Sequence, residues 1–460
     1  MRRLIRAALV ALVLAVPIFA EAQDFAVTGA TVATGDGSEP MENATVVVRG
    51  GRIAAVGAGI AVPTDVQVVD GTGMWVTPGL FASVTDLGLY DVTGVSDSND
   101  IGAEGSPFNA ALDVAPAINP ASQDILISRE GGVTRATVAP DAEASIFAGQ
   151  GAVIDLGSDR DAIVRPRAFQ FVELGEYGAR RAGGSRTSAH ALFRNALREA
   201  KAYGARAAIP GQASRSDPMR TGDDLPIDPR LVGNDNAERS GDVLLTRFDA
   251  AALVPVLNGN QTLYVHVDRA SDILSVLDLR REFPNLTLVI VGASEGWQVA
   301  NEIAAAGVPV IAQALVDLPA QFEQLASTQS NVGRMKQAGV KVALGPFDGD
   351  NHPRYAPQFA GNLVALAKIP GAGGLTWGEA LAAITSIPAE IAGMGGQAGV
   401  LKAGAIGDLV IWDGDPLEVS SAPVRVVIDG VVQPLENHQS RLRQRYRDLD
   451  ESDLPKAYDW

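Results

Sequence analysis

Between residues 262 and 345, short apolar runs alternate with amphipathic ones, and this rhythm constrains the fold more than any other feature of the chain. Thr262–Val267, Leu286–Val291, Val308–Ala312 and Val340–Gly345 are dominated by β-branched and apolar residues. Ser271–Phe283, Glu295–Ala306 and most of Gln321–Gln337 carry apolar residues at helical spacing. Strands separated by helices pair in parallel through right-handed crossovers, and strands apolar throughout are covered on both faces. Upstream, Met74–Leu80, Gly132–Ala139 and Ile146–Leu156 have the same buried character, and Ala189–Tyr203 reads as a helix capped by Ser188. Gln358–Lys368 and Thr376–Thr385 add two helices. A run of this length points to a closed barrel or a doubly wound sheet. No G-x-G-x-x-G follows an early strand, which disfavours a dinucleotide-binding sheet.

The two ends follow a different pattern. Phe25–Thr34, Ala44–Arg49, Arg52–Val56 and Val66–Val69 are short strand-like runs punctuated by Gly and Asp turns. They are too few to stand alone as a domain. Asp408–Trp412 and Val424–Ile428 repeat their character. The economical reading is an α/β chain in which a (β/α)₈ TIM-like barrel, residues 79–396, is inserted in a small β-sandwich. Residues 23–78 and 397–432, one segment from each chain end, build that sandwich. Residues 433–460 form a charged tail, expected as a solvated helix packed on the sandwich.

The chain has 460 residues, enough for a large barrel and a second domain. Its formal net charge of −17 argues against nucleic acid and against an anionic membrane surface as partners. Residues 1–22 read as a secretory signal: Arg2, Arg3 and Arg6, then the apolar run Ala7–Ile18, then Ala20, Glu21 and Ala22 as a cleavage site. The expectation is a periplasmic or secreted protein, not membrane-embedded once the signal is removed. There is no cysteine, so disulfides, a thiol nucleophile and thiolate metal ligands are excluded.

Four segments in order carry a family resemblance. Val46–Gly57 resembles the second hairpin of the amidohydrolase superfamily, and Asp70–Leu80 resembles its approach to the barrel. Ala380–Thr385 with Pro388 and Ala389 resembles the helix after the eighth strand, and Gly404–Pro416 resembles the return to the sandwich. The chain is most similar to the imidazolonepropionase-like periplasmic branch, and the likeness covers most of residues 25–430, least of all about 205–245. The resemblance implies metal-assisted hydrolysis of a C–N bond at the C-terminal mouth of the barrel. It implies ligands from a His-x-His on strand 1, a Lys or Glu on strand 4, a His on each of strands 5 and 6, and an Asp on strand 8.

This chain departs from that ligand set. The His-x-His positions fall on Val84, Thr85 and Asp86. Strand 5 keeps His266, whereas the strand 6 position falls in Val291–Ala293. Asp348 lies at or one residue beyond the strand 8 position, and Glu173 stands in for strand 4. Asp86, His266 and Asp348 are the metal ligands implied, with His266 and Asp348 as the catalytic pair. A set with one nitrogen and two oxygen donors suits one divalent ion (Zn, Mn or Mg), or none. Of the other histidines, His190 and His438 read as surface residues, and His352 as part of a polar turn or a second ligand cluster.

Two functions remain open on the sequence. One is an exported hydrolase of C–N bonds other than ordinary peptide bonds, acting on a cyclic amide or a small peptide-like substrate. The other is a catalytically inactive relative that binds a small ligand, forms a homodimer or pairs with an active homologue. The loops Tyr90–Phe108 and Ile209–Asp242 carry no readable motif.

Overall fold

The computed structural model describes residues 22–92, 94–207, 243–349 and 352–447. The signal segment, the loop 209–242 and the end of the tail therefore lie outside the described residues.

The chain begins with strands β1 (Phe25–Val32), β2 (Met41–Arg49) and β3 (Arg52–Ala58), paired antiparallel in succession. Gly50 and Gly51 make the β2–β3 turn with φ of 53° and 74°, a region that side-chain-bearing residues enter at a cost. β4 (Gln67–Asp70) and β5 (Trp75–Pro78) then lie parallel to successive parts of β1. The turn between them is held by the Asp70 carboxylate, which accepts from the Thr72 N–H at 3.0 Å and hydroxyl at 2.7 Å.

Eight further strands make the barrel: β6 (Leu80–Thr85), β7 (Val133–Val138), β8 (Phe147–Asp155), β9 (Ile163–Glu173), β10 (Thr262–Val267), β11 (Leu288–Gly292), β12 (Val310–Ala312) and β13 (Val342–Leu344). They follow one another in spatial order, and a parallel bridge between Thr85 and Phe347 brings the two edges together. Phe81, Phe169, Phe171, Tyr264, Val289, Val291, Ile311 and Ala343 pack in one buried cluster that fills the lumen. Phe169 and Tyr264 stack there at 4.2 Å. The opposite faces of the same strands supply Leu263, Val265, Ile290, Val310 and Val342 to the larger cluster beneath the helices.

One part of the barrel corrects the expectation of uniform strand–helix repeats. β8 runs antiparallel to both β7 and β9. The spacers 139–146 and 156–162 are shorter than the ten or so residues that a parallel crossover requires, so only hairpins can join these strands. From β9 to β13 the pairing is parallel throughout.

The helices are α1 (Gln123–Glu130), α2 (Glu176–Arg181), α3 (Arg186–Ala207), α4 (Arg247–Leu257), α5 (Ala270–Leu277), α6 (Leu279–Glu282), α7 (Ala300–Ala306), α8 (Asn331–Gln337), α9 (Ala356–Leu366), α10 (Trp377–Ala382) and α11 (Ser386–Ile391). Ser188 does not cap α3 but lies within its first turns, and the Ser185 hydroxyl accepts the Ser188 N–H at 3.2 Å. The helix expected over Gln321–Gln337 is a single turn at Phe322–Gln324 followed by α8. Between them the Ser and Thr side chains turn to the backbone instead: the Thr328 hydroxyl accepts from the Ser330 N–H at 3.3 Å.

The chain returns through β14 (Leu409–Trp412), β15 (Pro423–Ile428) and β16 (Val431–Val432). β14 pairs antiparallel with β5, so strands from both ends join one sheet. That sheet is clamped to the barrel by Arg135 of β7. Its guanidinium holds Asp408 at 2.6 Å and Asp429 at 2.7 Å. The last helix, α12 (His438–Arg445), opens on a capping box made by Asn437 and Ser440. The sandwich was the expected seat for this tail. Instead, its polar contacts reach α1, through Asn437 to Glu130 and the His438 N–H to Gln123. No helix among the described residues is long and apolar enough to cross a membrane.

Candidate active site

Side chains at the C-terminal ends of barrel strands converge on one rim, and chemistry in this architecture is built there. β9 ends on Glu173 and β10 carries His266, paired in adjacent register. The His266 Nδ1 lies 2.7 Å from Glu173 Oε2. Asp268, two residues on, stands 4.0 Å from His266 Nε2 and is itself fixed by the Ser294 N–H at 2.9 Å and the Ser294 hydroxyl at 2.7 Å. Burial disfavours the charged imidazole, but the carboxylates of Glu173 and then Asp268 outweigh it, raising the His266 pKa to about 10. His266 is therefore an imidazolium at neutral pH.

Room for this pair depends on Gly292 at the end of β11. A β-carbon there would fall 2.8 Å from Asp268 Oδ1 and 2.9 Å from His266 Nε2, and its φ of 90° suits glycine.

Across the mouth stand the carboxyls of Asp86, Asp141 and Asp348. Asp86 follows β6, is buried, and accepts the Gly349 N–H at 3.1 Å. Burial raises its pKa to about 6, with smaller pushes from Asp348 and Asp124. Asp141 follows β7. Solvent reaches its side chain, yet the surrounding protein, and then the charges of Asp348, Asp86, Glu143 and Glu173, raise its pKa to about 7. Asp348 lies just past the bridge at Phe347. Burial shifts it upward and the charge of His266 pulls it back. Asp86 feels the charge of Asp348, Asp348 feels that of His266, and Glu173 stands against the His266 ring.

The sequence reading missed Asp141 and Asp268. Both stand a few residues beyond a strand end, the one available signal, but an Asp there is ordinarily turn chemistry. Other histidines lie elsewhere. His352 Nε2 faces Asp124 of α1 at 3.4 Å, and His190 Nε2 is 3.7 Å from Asp272. His438 begins the outer helix α12.

A metal ion would need three or more donors converging at coordination distance. Among the described residues no group of three His, Asp or Glu side chains does so. The Glu173 carboxylate occupies Nδ1 of His266, and the Gly349 N–H engages Asp86. Val84, where the resemblance would put a histidine, and Val291, in the stretch Val291–Ala293 where it would put another, are 4% and 0% exposed in the apolar lumen. Val84 and Ala293 both have φ of 51°, an uncommon backbone state for side-chain-bearing residues, and a form of strain that gathers at functional rims. The described residues, as placed, do not converge to hold a metal ion.

An amidohydrolase family model matches residues 290–433. The amidohydrolase tasK of Hapsidospora irregularis is 26% identical over 399 residues, 81% of this chain. An imidazolonepropionase of Chromobacterium violaceum is 37% identical over 97 residues, 21% of this chain and 22% of that protein. An amidohydrolase from Thermotoga maritima superposes with a TM-score of 0.73 at 24% identity, over 89% of this chain and 99% of that one. The chain is thus similar to amidohydrolases, in sequence over 81% of its length and in fold over 89%. It spans 38% of the length of the tasK amidohydrolase, so the likeness there concerns one part of a larger protein.

Proposed function

We propose that this amidohydrolase-like chain hydrolyses a C–N bond of a small amide or cyclic amide at the mouth of its barrel, outside the cytoplasm. The observation that carries the reading is the His266–Glu173 pair at 2.7 Å on the barrel rim, with Asp348 within electrostatic reach of His266 and Asp141 and Asp86 within reach of Asp348. Asp141, with a pKa of about 7, is near half ionised at neutral pH. Such a group takes a proton from an attacking water and returns one to the departing nitrogen. The charge on His266, held by Glu173, stabilises the oxyanion formed when water adds to the amide carbon. Asp348 is the second carboxyl beside that centre. The hydrolases among the relatives and the signal-like residues 1–22 support the activity and its location.

The test is a pH–rate profile of amine release from simple and cyclic amides. Wild type is expected to show an ionisation near pH 7, and Asp141→Asn is expected to lose that limb together with about 100-fold in rate. An unchanged profile in Asp141→Asn removes this residue from the mechanism.

One observation favours a second reading. The lumen positions Val84 and Val291 are filled by close-packed valine. A barrel retired from hydrolysis and used to bind a small ligand, alone or beside an active homologue, accommodates that packing equally well. Such a protein releases no amine from any amide and still binds its ligand at the same mouth.

A further inference from the structure

Two consecutive residues of the loop after β12, Glu323 and Gln324, reach the carboxylates on either side of His266. The Glu323 carboxylate accepts the Glu176 N–H at 2.8 Å and Arg186 at 2.9 Å. The Glu173 carboxylate accepts the neighbouring Gly175 N–H at 2.8 Å. Gly175 separates the two acids so narrowly that a β-carbon there would fall 2.7 Å from Glu323 Oε1 and 3.0 Å from Glu173 Oε1. With its side chain 1% exposed, Glu323 seats the turn Phe322–Gln324 against the rim.

Gln324 serves the other side. Its Nε2 donates to Asp268 Oδ2 at 3.0 Å, and its Oε1 accepts the Ala320 N–H at 3.3 Å. A carboxylate only accepts and a backbone N–H only donates, so these two partners fix which way round the amide stands. Asp268 is 3% exposed, and Ser294 already donates twice to its other oxygen. Among the described residues Gln324 alone donates to Oδ2.

The consequence falls on His266. Its Nε2 stands 4.0 Å from that same Oδ2, too far for a hydrogen bond. Nδ1 is buried against Glu173 while the side chain keeps 26% exposure, so Nε2 is the ring nitrogen left to the mouth. We propose that Gln324 is a positioning residue: by occupying Asp268 Oδ2 it keeps that carboxylate off His266 Nε2, and so leaves Nε2 open to the carbonyl oxygen of a bound amide. Without Gln324 a buried carboxylate oxygen loses its donor and carries the cost of its desolvation. Closing the 4.0 Å gap to Nε2 relieves that cost and consumes the nitrogen. The role given to Nε2 rests on the hydrolytic reading, whereas the held-back carboxylate is read without turnover.

The experiment is NMR of the full chain labelled at its histidines. There are four of them, and His266→Gln assigns the signal of His266. In wild type the Nε2 site is expected to show no carboxylate partner and free exchange with water. In Gln324→Met, which keeps the length and removes the donor, the Nε2 proton is expected to move downfield and to exchange about tenfold or more slowly. Phe322→Ser, at an 81% exposed position of the same turn, is expected to leave the signal as in wild type. A signal that Gln324→Met leaves unchanged, or a wild-type Nε2 already held by a carboxylate, overturns the proposal. If Gln324→Met fails to fold, Gln324→Ala is read by the same signal with the same two outcomes. In amide turnover, Gln324→Met is expected to lower kcat by about 100-fold with KM little changed. A raised KM at unchanged kcat overturns the positioning role. The expected NMR change without turnover in wild type refutes only the hydrolytic reading, whereas turnover with an unchanged Nε2 signal refutes only the role of Gln324.

Discussion

His266 shows how a single residue takes its character from its neighbours. Glu173 at 2.7 Å and the more distant Asp268 keep its ring charged, and Gly292 leaves the space for the pair. Glu173→Gln removes the closest negative charge. By the sign of that interaction, the His266 pKa should fall from about 10 toward the ordinary histidine range. Titration of the imidazole nitrogens by NMR should show no midpoint between pH 5 and 8 in wild type and a midpoint lowered by at least about one unit in the variant. A histidine that titrates near 6.5 in both proteins would show that the pair does not form. His266 was legible in the sequence because it ends an apolar strand, where side chains face the mouth. Asp141 and Asp268 were not, because what distinguishes them is convergence from separate strands, a tertiary property.

At the scale of elements, periodicity marked out the parallel strands β10 to β13, because β11 to β13 are buried on both faces and β10 nearly so, but it did not mark β9, whose first half is exposed. The antiparallel β8 was hidden for the opposite reason. All nine of its residues are buried, so composition carries no direction, and only the short spacers on either side reveal hairpins. The joining of the two chain ends was legible from their shared strand chemistry, but the residue that clamps their sheet to the barrel was not. Arg135 is 3% exposed and its partner Asp408 2%. Removing one member of a buried pair strands the other's charge, so Arg135→Met should cost about 3–5 kcal/mol. Equilibrium denaturation measures this loss directly. A change under ~1 kcal/mol would mean that the sheet is held to the barrel by apolar packing alone.

For the whole molecule the distinctive electrostatic feature is an excess of acid, with a formal charge of −17, part of it in carboxyls that the fold disfavours as anions. Asp155 is 8% exposed, and burial raises its pKa to about 7 despite the Gly157 N–H and the nearby Arg135. Burial likewise raises Asp86 to about 6. A carboxyl whose pKa rises on folding favours the folded state while protonated. The stability linked to these two groups is therefore fully present below about pH 4 and is lost as pH climbs through 6 and 7. Asp155→Asn should flatten the fall between pH 4 and 7 and leave the variant about 2 kcal/mol more stable than wild type at pH 8. Thermal melts across that range check it, and parallel curves for the two proteins would contradict it.

On the proposed reading, this mouth cleaves C–N bonds with its own carboxyls and a fixed imidazolium. The most direct measurement is amine release from an amide panel by untagged protein, with and without a strong chelator, beside His266→Gln. The expected result is turnover that the chelator leaves unchanged and that His266→Gln, melting like wild type, lowers by about 100-fold or more. No release from any amide, or release that the chelator abolishes, would contradict the account.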